Sequence, residues 1–426
     1  MKFIFHGATR EVGRSCVEVI GEKSRFLLDA GIKLSERGTE FPTPVEDPGG
    51  IKAVFVSHAH LDHTGFLPLL NHQGLKCPIF ATNVTKDTTK ILLEDAFKIG
   101  RLKHEHLGYE EADISKAIAF VRNIKIDENG AVNGLKYEFH GAGHIPGSAS
   151  VYVEADSKKI LYTGDIRTTE TRLMKASDTD YIGQEIDIMI VEATYGDRDH
   201  PDRKTTEKQF LDEIRATIDR GGSVLIPVFA VGRAQEILLM LQDKYFEVPI
   251  YIDGLAVEAT TLLFSYPNSI NDVAALKKAF NEANRIKGNI QRKKFVKSQG
   301  IFITTSGMLT GGPVIEYLKL MHHDEKSSVL LTGYQGEHTN GRLLLEEGSV
   351  FIDGWKTKVS CHVNQFDFSA HAGQSELRKL IRDVNPHAVM INHGDPAAVQ
   401  AMYEWAHALD FKAYAPILNQ EILIQR

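Results

Sequence analysis

At 426 residues and 42% hydrophobic content the chain exceeds the ~250–300 residues at which a single core stops growing, so two domains are expected. Its formal net charge of −7 gives no global attraction to nucleic acid, which leaves any polyanion contact to local features. Cys16, Cys77 and Cys361 show no C-x-x-C spacing, so neither a disulfide framework nor a thiolate zinc site is indicated. No stretch of about 18 apolar residues and no apolar leader after Met1 occurs, so the expectation is a cytoplasmic protein with no membrane partner.

The predicted elements begin with short strands at Lys2–Phe5, Cys16–Ile20 and Arg25–Leu28, followed by a continuous apolar strand at Ala53–Ser57. A short helix is expected over Thr64–His72, a strand at Pro78–Ala81, and an amphipathic helix over Thr85–Ile99 stopped by Gly100. Strands return at Lys136–His140, Ser150–Glu154, Lys159–Thr163 and Asp187–Ala193. From about Asp199 helix and strand alternate, the pattern of a parallel sheet with helices on its faces, with strands at Ser223–Phe229, Pro249–Asp253, Gly300–Thr305 and Ser327–Thr332. The tail reads as helix Ser375–Val384, strand His387–Asn392, helix Ala397–Leu409 and strand Glu421–Ile424.

Where the strand Ala53–Ser57 ends, four potential ligands crowd into His58-Ala59-His60-Leu61-Asp62-His63. Imidazole and carboxylate are the groups that borderline cations such as Zn²⁺ accept. Alternate side chains at a strand end point the same way, so His58 and His60 can grip one ion while Asp62 and His63 reach a second. A two-ion site also needs a shared ligand, and further candidates stand at strand ends: His144 in Gly143–Ala149, Asp165 after Gly164, and His393 in Asn392-His393-Gly394.

These motifs, with Leu28-Asp29-Ala30-Gly31 upstream, resemble the metallo-β-lactamase superfamily. The resemblance implies an α/β fold, an αββα sandwich with two Zn²⁺ per subunit at the edge between its sheets. By analogy His58, His60 and His144 hold the first zinc, Asp62 and His63 the second, and Asp165 bridges, with Asp29 orienting a ligand rather than binding metal. Val191–Gly196, Phe368–Ala372 and Asn392–Gly394 narrow the resemblance to the β-CASP nucleases, the group of RNase J and the cleavage and polyadenylation specificity factor endonuclease. It implies a β-CASP domain at 199–358 inserted into a sandwich formed by 1–198 and 359–426. In the RNA-cutting members the last metal motif carries His, as His393 does here.

The implied reaction is hydrolysis of RNA by a bridging hydroxide, with Asp62, Glu192 and His371 as catalytic residues and His371, held by Glu192, as general acid. Gly-rich turns offer backbone N–H groups to RNA phosphates, and their match to the family's phosphate-gripping loops selects Ser306, Gly307, Thr332, Gly333, Gln335 and Gly336. The basic stretch Arg285, Lys287, Arg292, Lys293, Lys294 and Lys297 reads first as a solvated helix face and second as an RNA guide. A homodimer, and subunits of an RNA-processing or decay complex as partners, follow from the resemblance alone. Two rival readings are a metal-dependent (thio)ester hydrolase and an inactive scaffold subunit. Spacing does not separate endonuclease from 5′-to-3′ exonuclease.

Overall fold

The computed structural model describes every residue except 36, 37, 243 and 426. The chain forms two compact units. The first comprises Met1–Glu170, Lys175–Asp199 and Ala370–Arg426, and the second Thr171–Met174 and His200–Ser369.

Two seven-stranded sheets build the first unit. In one, the strands Glu421–Leu423, Lys2–Phe5, Val17–Ile20 and Arg25–Leu28 run antiparallel, then Ala53–Phe55, Ile79–Thr82 and Val121–Ile124 continue in parallel. In the other, Lys412–Tyr414, Ala388–Asn392, Ile188–Glu192 and Lys158–Tyr162 are parallel, and Ala149–Ala155, Leu135–Gly141 and Gly130–Val132 are antiparallel. Alternation decides which face is buried in the antiparallel part: Leu135, Tyr137 and Phe139 enter the core while Lys136 and Glu138 turn away. Phe3, Phe26, Phe55, Val151, Ile160 and Met390 fill the space between the sheets. Helices cover both outer faces, with Leu67–His72 and Glu111–Phe120 on one and Gln374–Val384 and Pro396–Ala408 on the other. The expected αββα sandwich is thus present.

Two helices depart from expectation. The stretch predicted as one helix over Thr64–His72 divides into Leu61–Thr64 and Leu67–His72, because the Phe66 N–H is donated to the Ala30 carbonyl and Pro68 opens the second helix. The long helix runs Asn83–Leu102 and passes through Gly100, where a Cβ would come 3.0 Å from the Leu107 side chain. Glycine here allows close packing rather than a stop.

The second unit holds a six-stranded, all-parallel sheet. Its order is Asn284–Arg285, Ile250–Asp253, Ile301–Thr304, Val224–Pro227, Ser328–Leu331, His362–Gln365. The return expected at residue 359 instead comes at Ala370, since His362–Gln365 still pairs with Ser328–Leu331. Arg292 of the basic stretch is committed: its Nε and Nη2 donate to the buried Asp253 carboxylate at 2.6 and 3.0 Å. The Arg285 guanidinium lies 5.1 Å over the Phe280 ring.

Candidate active site

Parallel register brings distant residues to one edge of the first unit. Leu28 is level with Phe55 in one sheet, and in the other Tyr162 is level with Ile190 and Glu192 with Asn392. The segments that follow these strands carry Asp29, His58–His63, Asp165 and His393, at the carboxyl ends of the strands where α/β sheets bind ligands. His144 joins them from the connection between Leu135–Gly141 and Ala149–Ala155. Close backbone approach is needed at two places. A Cβ on Gly164 would fall 2.6 Å from the Ser57 Cβ, and one on Gly31 would fall 1.6 Å from the Asp62 carbonyl oxygen.

All seven predicted ligands meet. His58 Nε2 and His144 Nε2 each lie 3.2 Å from His60 Nδ1, so three imidazole nitrogens converge on one point. Asp165 Oδ2 lies 3.5 Å from His58 Nε2 and 3.6 Å from His144 Nε2, facing that point. Its other oxygen faces a second point, 3.4 Å from His63 Nε2 and 3.2 Å from His393 Nδ1. Asp62 Oδ2 completes this second group, 3.3 Å from His393 Nε2 and 3.8 Å from His63 Nε2.

The donor set fits divalent metal. His63 Nε2 and Asp165 Oδ1 are buried without hydrogen-bond partners, though both point into the cluster. Burial and the neighbouring imidazoles push His58 and His144 well below the ordinary histidine pKa, which keeps them neutral as metal ligation requires. Burial would raise the Asp165 carboxyl, but His393 and His63 outweigh it and hold the group well below its usual range.

A layer of acceptors behind the ligands fixes their tautomers. Asp29 is fully buried and accepts hydrogen bonds from Ser57 N and Oγ (both 2.7 Å), Tyr162 OH (2.7 Å) and His63 Nδ1 (2.6 Å). The Ser57 hydroxyl, donating to Asp29, accepts from His58 Nδ1 at 3.0 Å. His144 Nδ1 donates to the Ala370 carbonyl at 2.9 Å. Each ring therefore turns its Nε2 lone pair inward.

His371 stands beside this cluster, its ring centroid 4.5 Å from that of His144. Its Nδ1 donates to both oxygens of Glu192 at 2.9 Å, while Glu192 also accepts from Ile166 N at 2.8 Å and Thr194 N at 3.3 Å. Burial lowers the His371 pKa, but the Glu192 and Asp165 charges outweigh it and raise the group to about 9. Arg167, unnoticed in the sequence, donates from Nη1 to the His371 carbonyl at 2.8 Å. Its place two residues after Asp165 was the available signal. Tyr162, three residues before Asp165, was missed for a different reason, since it reads as one more apolar strand residue.

Comparison with known proteins gives matches along most of the chain. Residues 24–225 match the beta-lactamase superfamily domain, 234–344 the Beta-Casp domain, and 356–416 the Zn-dependent metallo-hydrolase RNA specificity domain. The chain is 42% identical to the Probable RNase MJ4 of Methanocaldococcus jannaschii over 100% of both chains. The chain belongs to the β-CASP ribonuclease family of the metallo-β-lactamase superfamily. Another β-CASP relative is the RNase aCSPSF2 of Saccharolobus solfataricus, 36% identical over 92% of this chain and 78% of that one. A solved structure of a protein of unknown function from Enterococcus faecalis V583 shares the fold, with a TM-score of 0.60, 13% identity and 99% coverage of both chains.

Within the β-CASP portion, Ser306-Gly307 and Thr332–Gly336 follow the adjacent strands Ile301–Thr304 and Ser328–Leu331. The two turns are tied together rather than left free. Gln335 is buried and its Nε2 donates to the carbonyls of Gly307 (3.2 Å) and Gly333 (3.3 Å), and Thr332 Oγ1 donates to the Pro227 carbonyl at 3.2 Å. Ser306 Oγ accepts from Thr310 N at 3.1 Å. Their side chains are thus occupied in bracing the loops.

Proposed function

We propose that this β-CASP protein is a ribonuclease that hydrolyses RNA phosphodiester bonds with two zinc ions. The observation that carries the reading is the Glu192–His371 pair set against the His/Asp cluster. The thiolate of a thioester departs without a proton, whereas a ribose oxygen leaving phosphorus needs one, and His371 stands where it can supply it. His393 at the last position supports RNA over DNA, and the names of the two relatives accord with it.

His58, His60 and His144 would hold one ion, Asp62, His63 and His393 the other, with Asp165 between them. Such ions lower the pKa of water and neutralise charge on an attacked phosphate. The chain's own part is orientation and proton transfer. Asp29 sets which nitrogens of His63 and, through Ser57, of His58 face the centre. Glu192 anchors His371 by Nδ1, so that Nε2 carries the proton to the leaving oxygen. Arg167 pins the backbone of His371 and so limits how far the ring can drift.

The three cysteines are free and buried, which supports a reducing cytoplasm, and among the described residues no helix is long and apolar enough to cross a membrane. Incubation of the purified chain with RNA bearing a 5′-monophosphate or 5′-triphosphate, labelled at each end, tests the function. Ladders of internal cuts indicate an endonuclease and mononucleotides released from the 5′ end an exonuclease. Cleavage should stop on chelation and resume with Zn²⁺. A metal-replete chain that leaves RNA intact while turning over a thioester would overturn the proposal.

A further inference from the structure

His140 lies outside the catalytic cluster and makes no hydrogen bond through its ring. It sits on the strand Leu135–Gly141, on the face away from the core that takes Tyr137 and Phe139. The ring is only 2% exposed, yet neither of its nitrogens has a hydrogen-bond partner. Tyr181 closes one side edge-on, with ring centroids 5.3 Å apart. A buried imidazole with both nitrogens unpaired calls for an occupant that the surrounding side chains do not supply.

Two carboxylates define where that occupant would sit. Asp127 Oδ1 is 3.7 Å from His140 Nδ1, beyond hydrogen-bond range. Glu138 is two residues from His140 on the same strand face, and one atom from each of the three side chains lies within 4.8 Å of the others. Asp127 has φ 61, and its N–H donates to the Phe139 carbonyl at 2.8 Å, which holds this loop against the strand. Negative charge accumulates around it. Burial, then Asp178 and Asp180, push the Asp127 carboxyl above its ordinary value. Asp178 is itself engaged, accepting from Gly141 N at 2.7 Å.

We infer that Asp127, Glu138 and His140 form a separate metal site that takes one Zn²⁺ or Mn²⁺ ion. One imidazole and two carboxylates suit these ions better than Ca²⁺ or Mg²⁺, which prefer oxygen alone. Donor atoms about 2.1 Å from one ion lie about 3–4 Å apart, and the 3.7 Å between Asp127 Oδ1 and His140 Nδ1 falls in that range. The site shares no residue with the catalytic cluster. Its position indicates a structural role: Asp127 belongs to the connection leaving Val121–Ile124, at the edge of the first sheet, while Glu138 and His140 belong to the second sheet. An ion held there ties the connection that leaves the first sheet's edge strand to the strand Leu135–Gly141 of the second.

Metal content of the full chain, equilibrated with Zn²⁺ or with Mn²⁺ and then freed of loosely held ion, tests the assignment. Asp127→Asn, at a side chain 57% exposed, and Glu138→Gln should each carry about one equivalent less than the wild type and melt at lower temperature with metal present. Both should keep wild-type RNA cleavage. Equal metal content in the wild type and both variants would overturn the site. So would a loss of metal accompanied by a loss of cleavage, since the missing ion would then belong to the catalytic centre.

Discussion

Replacing Asp29 by Asn keeps the side chain's size, and both residue types tolerate the φ of 58 found there. The amide nitrogen must nevertheless replace one carboxylate oxygen. At the Oδ2 position it would meet three donors, from Ser57 Oγ, His63 and Tyr162, whereas at Oδ1 it meets only the Ser57 N–H. The amide therefore settles with its nitrogen against Ser57 N–H, leaving that buried donor unsatisfied at about 1–3 kcal/mol. Loss of the negative charge weakens the His63 bond by about a further 1 kcal/mol, the usual difference between a charged and a neutral acceptor. Stability should fall by about 2–4 kcal/mol, and metal affinity by about 10–100-fold, because Asp29 orients His63 directly and His58 through Ser57. Urea denaturation of metal-loaded and metal-free protein measures the first quantity, and competition with a chromophoric chelator the second. A variant that competes with the chelator as well as the wild type would refute the role given to Asp29.

His371→Ala should retain metal at wild-type stoichiometry and lose about 10²–10⁴-fold in cleavage, whereas Asp165→Ala should lose metal as well. Full activity in purified His371→Ala would sink the general-acid assignment. Glu192→Gln tests the same residue by pH. With its pKa near 9, His371 stays protonated and competent below that pH and loses its proton as pH rises through it. Removing the Glu192 charge lowers that pKa, so the alkaline limb of the cleavage profile should move to lower pH, and a limb that stays in place would contradict the pairing.

The His/Asp cluster was legible because each of its parts is local: His58–His63 crowds four candidate ligands onto one strand end, and His144, Asp165 and His393 each follow a strand readable in the sequence. The bracing layer was not. Tyr162 ends a strand of apolar residues and gives no sign that its hydroxyl reaches Asp29, 133 positions away. Arg292 reads as one more cation in a basic stretch until Asp253 folds against it. The late return to the first unit escaped notice for a related reason, since His362-Val363-Asn364-Gln365 is a polar edge strand with no apolar run to announce it.

The parallel strand order has a consequence for the timing of synthesis. Asp29 through Asp165 emerge early, yet His393 follows the strand Ala388–Asn392, which docks directly beside Ile188–Glu192. A chain still being translated through its β-CASP insertion thus holds most of the clustered His and Asp side chains without His371 or His393. Closure of the His/Asp cluster therefore waits until the last strands take their places in the sheet.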